Sequence, residues 1–138
     1  MELISRAFLE WKRRVAKNLV PFGTNPKQMF VLRTLLESGP MSPSEIADLV
    51  LADRPTATSL IGTIQRAEWV SRRKDPTNGK RVLVHITKRG QAFVRSVPES
   101  LWRTGKTAFD PEGCFTSAEQ TELIRLLGKL NRWVDSAV

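Results

Sequence analysis

Residues 42–86 read SPSEIADLVLADRPTATSLIGTIQRAEWVSRRKDPTNGKRVLVHI, and local signals divide them into three elements. Ser42, Pro43 and Glu45 make a helix start: a hydroxyl to cap it, a ring preset for its first turn, and a carboxylate that reaches back to the cap's amide. Ile46, Leu49 and Val50 make that helix amphipathic and short. Asp53 then offers a new cap directly before RPTATSLIGTIQR, so two helices follow one another across a turn of a few residues, the spacing of a helix-turn-helix. Further on, Val70 and Arg72, then Val82, Val84 and Ile86, alternate with a period of two. Asn78-Gly79 is the dipeptide that supplies the positive φ angles of a tight hairpin turn, which predicts a two-stranded hairpin with its tip at about 75–81.

Helical signals flank this segment. Leu3, Ile4, Ala7, Phe8, Trp11, Val15 and Leu19 recur at helical spacing with Arg and Lys between them, and Pro21 ends the pattern. NPKQMFVLRTLLESG predicts a helix over 26–38, with Asn25 as cap, Pro26 in the first turn, Gln28 at the capping-box position and Gly39 at the close. After the hairpin, Thr87 caps a helix that includes Phe93 and Val94. RTGKTAFDPEGCF at 103–115 has the Gly and Pro of a loop. Thr116 and Glu119 form a further capping box ahead of Leu123, Leu126, Leu127, Leu130, Trp133 and Val134. The fold expected is mainly α with a small β-hairpin wing: a winged helix-turn-helix core with a helical segment at each end of the chain.

The chain has 138 residues, enough for one compact domain. Its net charge of +8 favours an anionic partner, nucleic acid or an acidic membrane surface. A lone cysteine, Cys114, permits no internal disulfide. No apolar run suits a signal peptide or a bilayer span, so a cytoplasmic location is expected.

Helical-wheel placement puts Ala57, Leu60, Ile61 and Ile64 on one side of the second helix of the pair, and Pro55, Thr58, Ser59, Gly62 and Arg66 on the other. That outer side is small and hydroxyl-bearing. Small residues permit close approach to another surface, and hydroxyls bond to base edges or phosphates. The hairpin that follows carries Arg72, Arg73, Lys74, Lys80 and Arg81 around one Asp, a pattern suited to neutralising phosphates. A recognition helix in the major groove and a wing on the neighbouring backbone or minor groove account for both features together.

Residues 41–94 resemble the winged-helix core of the MarR family of bacterial transcriptional regulators. The similarity is carried by SEIADLV, DRPTATSLI, WVSRRKDP and VLVHITKRG. The resemblance implies one domain of 1–138, in which 25–97 form the DNA-binding lobe and 1–20 and 98–138 supply dimerisation helices. It implies a homodimer on a pseudo-palindromic operator of double-stranded DNA, a repressor released by a small-molecule effector. The DNA-binding residues expected are Arg54, Pro55, Thr56, Thr58, Ser59, Thr63 and Arg66 on the recognition helix. On the wing they are Arg72, Arg73, Lys74, Asn78, Lys80 and Arg81. Leu3, Phe8, Trp11, Leu126, Leu130 and Trp133 are expected at the dimer interface, being apolar residues at the two ends of a small chain. Trp102 and Phe109 are the expected effector-pocket residues. The family's wing has an Asp, one spacer and an Arg ahead of the second strand, where this chain has Asn78 and Lys80, with Arg81 next. Either cation can act as the groove probe; Arg81 is preferred because a guanidinium suits a narrow groove better than an ammonium.

Other readings are weaker. Asp110 and Glu112 beside Cys114 would raise a thiol pKa, which favours a passive cysteine over a sensor. His85 alternates along the second wing strand, on its outer face, and lacks companions at metal-ligand spacing. No phosphate loop, activated nucleophile, paired carboxylates or cofactor motif is present, so neither an enzyme nor a cofactor is expected. The remaining alternatives are an RNA- or ribosome-associated winged helix and a non-specific DNA binder.

Overall fold

The computed structural model describes residues 1–101 and 111–137, which divide into two compact units. The larger contains five α-helices and one hairpin: α1 (Glu2–Leu19), α2 (Pro26–Ser38), α3 (Pro43–Leu49), α4 (Arg54–Arg66), β1 (Val70–Asp75), β2 (Asn78–Ile86) and α5 (Lys88–Ser96). A single long helix, α6 (Ser117–Ser136), makes up most of the other. The expected fold class, mainly helical with a two-stranded wing, is the one observed.

Each start signal does what its residue types allow. Asn25 accepts from the Gln28 amide at 3.0 Å, Asp53 from the Thr56 amide at 2.7 Å, and Thr87 from the Gly90 amide at 3.0 Å. Ser42 with Glu45 and Thr116 with Glu119 close full capping boxes. Asn25 with Gln28 does not. The Gln28 side chain turns to the buried Thr24 hydroxyl, which donates to its Oε1 at 3.0 Å, because Thr24 would otherwise be buried without a partner.

The core of the larger unit gathers Val15 and Leu19 of α1, Met29, Leu32 and Leu35 of α2, Ile46 of α3, Ile61 and Ile64 of α4, Val70 and Val84 of the hairpin, and Val94 of α5. α1 therefore contributes its C-terminal half to this core, while Leu3, Ile4, Phe8 and Leu9 remain exposed. α6 has no buried residue among those described.

Two connections set the geometry of the helix pair and hairpin. Between α3 and α4, Leu51 adopts a left-handed φ of 52°, while the Leu51 and Ala52 amides bond back to the Asp48 and Ala47 carbonyls. Between the hairpin and α5, Gly90 lies against β1's entry. A Cβ at Gly90 would lie 2.1 Å from the Trp69 carbonyl oxygen, so only glycine fits. Trp69 stacks on Phe93 there, ring centroids 3.9 Å apart.

The hairpin turn differs from the one expected. Asn78 and Gly79 lie within β2, neither with positive φ, and the turn is Asp75-Pro76-Thr77-Asn78. Pro76 presets the second turn position, and Asp75 Oδ1 accepts from the Thr77 amide at 2.9 Å and its hydroxyl at 2.8 Å. Local side-chain bonding thus outweighs the Asn-Gly signal. Lys74 pairs with Val82 and Asp75 with Asn78, which leaves Gly79, Lys80 and Arg81 as a bulge on β2. A further pairing was invisible in the sequence: Met41 bridges Val84 on the open side of β2.

Candidate nucleic-acid interface

Ala57, Ile61 and Ile64 anchor α4 in the core, and Leu60 is partly buried, so the opposite face is the exposed one. Pro55, Thr56, Thr58, Ser59, Thr63 and Arg66 are exposed there, and Arg54 is exposed at the start of the helix, on the side of Ala57. Their polar groups differ in availability. The Thr63 hydroxyl donates to the Ser59 carbonyl at 3.0 Å and accepts from Arg66 at 3.2 Å, which folds that guanidinium back over Gly62. Thr56 is turned to its cap residue, Asp53. The hydroxyls of Thr58 and Ser59 have no side-chain partner among the described residues, and they are the groups on this face left to bond outward.

α4 forms a ridge between two depressions. On one side Arg54, Ala57 and Thr58 face Ser42, Pro43 and Ser44 at the start of α3, with Lys80, Arg81 and Val82 of the wing. On the other, Pro55, Thr56, Ser59 and Thr63 face Asn25, Lys27 and Gln28 at the start of α2. The second depression brings in Lys27, a cation that the sequence reading did not single out. Its only sequence signal is a basic residue in the first turn of a helix, where the macrodipole disfavours it.

The wing cations do not form one cluster. Strand pairing places Arg72 and Lys74 on the face shared with Val84 and Val82, and Arg73 on the opposite face with Leu83. Asn78 is taken up locally, its Oδ1 accepting from the Lys80 amide at 3.2 Å. Arg81 bonds to Glu45 of α3 at 2.5 Å and lies 3.9 Å from Asp75. Both acids sit below their ordinary pKa. For Glu45 the main cause is the Ser42 amide, with the Arg81 charge adding to it; for Asp75 it is the Thr77 amide and then its hydroxyl.

The remaining expected site residues are spread out. Trp11 is half-buried and packs on the core of its own unit, 6.2 Å from the Phe8 ring. Leu3, Phe8, Leu126 and Trp133 are exposed, and Leu130 is half-buried. His85 is half-buried on the outer face of β2, opposite Ser71, and Cys114 is exposed. Trp102 and Phe109 lie outside the described residues. Among the described residues no group of His, Cys, Asp and Glu could hold a metal ion, and no helix is long and apolar enough to cross a membrane.

A helix pair with a tight turn, a following hairpin and an exposed, small-residue face on the second helix define a winged helix-turn-helix protein. Residues 24–82 match the sequence model of the MarR family. Over 132 residues the chain is 24% identical to the HTH-type transcriptional regulator YpoP of Bacillus subtilis, covering 96% of this chain and 92% of that protein. In fold it is similar to AbsC, a MarR family transcriptional regulator from Streptomyces coelicolor, with a TM-score of 0.80 at 18% identity over 98% of this chain and 94% of AbsC. It is also similar to a mutant MarR from E. coli complexed with operator DNA, with a TM-score of 0.77 at 22% identity over 94% and 91% of the two chains. Residues 24–82 thus carry a MarR family segment, the DNA-binding part found in transcriptional regulators of that kind.

Proposed function

We propose that the protein acts in the cytoplasm as a homodimer that binds a pseudo-palindromic operator and represses transcription until a small molecule releases it. The observation that carries this reading is the face of α4. Thr58 and Ser59 present free hydroxyls on a ridge of small residues, and cations stand in the depressions on both sides. A helix lying in a major groove has a phosphate backbone along each flank. Thr58 and Ser59 then meet base edges, Arg54 and the wing meet one backbone, and Lys27 meets the other.

In this reading residues 25–97 form the DNA-binding lobe, and 1–20 and 98–138 supply dimerisation helices, with α1 also serving the lobe through Val15 and Leu19. Support for the dimer comes from each terminal helix alone. Leu3, Ile4, Phe8 and Leu9 of α1 are exposed, as are Ile124, Leu126, Leu127, Trp133 and Val134 of α6, and large apolar side chains grouped on one helix mark a face that takes a partner. Two-fold symmetry sets the two recognition helices about one DNA turn apart.

Selection from a random duplex pool tests the reading. The expected result is a pseudo-palindrome with half-sites about one turn apart. Recovery without a consensus, or preference for RNA, would overturn it. Truncation after Leu123 is expected to give monomers; a stable dimer would remove α6 from the interface.

A further inference from the structure

Two adjacent wing cations, Lys80 and Arg81, have different surroundings. The Met41–Val84 bridge sets the beginning of α3 alongside β2, which brings the capping acid Glu45 next to Arg81 although 36 residues separate them. Both oxygens of Glu45 are engaged: Oε2 accepts from the Ser42 amide at 2.8 Å and Oε1 from Arg81 at 2.5 Å. The other end of the guanidinium lies 3.9 Å from Asp75, and that carboxylate holds the turn through Thr77. An unbroken chain of polar contacts therefore runs from the cap of α3 through Arg81 to the turn of the wing. The Lys80 ammonium, in the same bulge, is exposed and has no acidic partner among the described residues.

We propose that Arg81 is a positioning residue, strapped by Glu45 and Asp75 so that it fixes the wing against α3, and that Lys80 is the wing cation that meets DNA. The proposal rests on the reading of the wing as a DNA contact, and it reverses the preference for Arg81 that side-chain chemistry alone suggests. A guanidinium has the fork geometry to hold two carboxylates at once, which an ammonium lacks. The bulge supplies what a strap needs, since three unpaired residues leave the end of β2 free to pivot unless something outside the ladder fixes it.

The sign of one substitution separates this from simple electrostatics. Glu45→Gln keeps one acceptor for the Ser42 amide, so the α3 cap survives, but it removes the ion pair with Arg81. It also removes a negative charge from beside a DNA-binding surface. If Glu45 acts only through its charge, E45Q binds DNA more tightly; if it positions the wing, E45Q binds more weakly. Binding of a mixed-sequence 30-base-pair duplex, measured against salt, is the assay. The strap predicts E45Q binding weaker by about two- to fivefold per wing, the worth of an exposed ion pair. It also predicts no further effect of E45Q in an Arg81→Gln background. Lys80→Gln is expected to lower the slope of log affinity against log salt by about 1.8 for the dimer, one phosphate contact per wing, while R81Q leaves that slope unchanged.

Tighter binding by E45Q, or a slope loss in R81Q equal to that in K80Q, would overturn the proposal. Amide hydrogen exchange at 75–81 without DNA supplies an independent arm. E45Q should speed exchange there, and unchanged exchange would overturn the strap even if binding fell. Should the unmodified protein fail to bind duplex DNA at any salt, the regulator reading falls, and the exchange measurement still decides whether Glu45 fixes the wing.

Discussion

Replacing Lys27 with Gln removes one positive charge from the depression on the α2 side of the recognition helix and changes nothing in the core, since Lys27 is exposed. Its consequence follows from counting cations. Arg66 is folded back on Thr63 and Arg81 is paired with Glu45, which leaves Lys27, Arg54 and Lys80 per protomer to face phosphates, to which one contact from the β1 cations is added. About eight contacts per dimer give a slope of log affinity against log salt near −7, roughly a ten-thousandfold loss between 50 and 200 mM salt. Lys27→Gln should reduce the slope to about −5.4 and the same loss to roughly two-thousandfold. Preference between DNA sequences should hardly change, because a phosphate contact is shared by every duplex. The assay is fluorescence anisotropy with the selected operator and a scrambled duplex over a series of salt concentrations. An unchanged slope would refute the placement of a phosphate backbone along the α2 side, and with it the reading of α4 as a ridge between two backbones.

Further outcomes follow from the same geometry. Ser59→Ala and Thr58→Ala should alter which half-site base pairs are preferred, by about 1–3 kcal/mol where a base contact is lost, as repeat selection with each variant would show. Gly90→Ala gains helix propensity but drives a methyl into the Trp69 carbonyl, so a net loss of about 1–3 kcal/mol is expected. Thermal unfolding should show it as a fall of about 4–8 °C per kcal/mol, and an unchanged midpoint would mean that the hairpin and α5 yield easily. Glu45 and Asp75 have folded-state pKa values below their ordinary ones. Their contribution to stability is thus fully present above the ordinary carboxylate range and is lost as pH falls through the depressed values. Denaturant midpoints of the unmodified protein and E45Q should differ at pH 6 and converge as pH falls below the depressed pKa of Glu45; a gap that persists in stronger acid would assign the difference to something other than ionisation.

Much of the helical structure is legible in the chain because its signals are local. Asn25, Ser42, Asp53, Thr87 and Thr116 each cap the helix that follows, and a cap needs only amides two or three residues away. The buried side of α4 is equally legible, since helical spacing alone places Ala57, Ile61 and Ile64 together. Where two local signals compete the sequence is less decisive. Asn78-Gly79 is a strong turn dipeptide, yet Pro76 with Asp75 takes the turn and leaves Gly79 in a bulge. Gln28 had a capping partner in reach and took Thr24, because the folded core buries that hydroxyl.

The candidate site divides along the same line. Helical periodicity and charge pattern determined that α4 presents a small, hydroxyl-bearing face and that a basic hairpin follows it. Within α4, short-range bonds let Thr63 and Arg66 satisfy one another and leave the Thr58 and Ser59 hydroxyls free, whereas only the tertiary structure brought in Lys27 from a helix distant in sequence. It also decided the partner of Arg81. A cap is a short-range bond that neighbouring residues specify, whereas the Glu45–Arg81 pair spans 36 residues and exists because Met41 pairs with Val84.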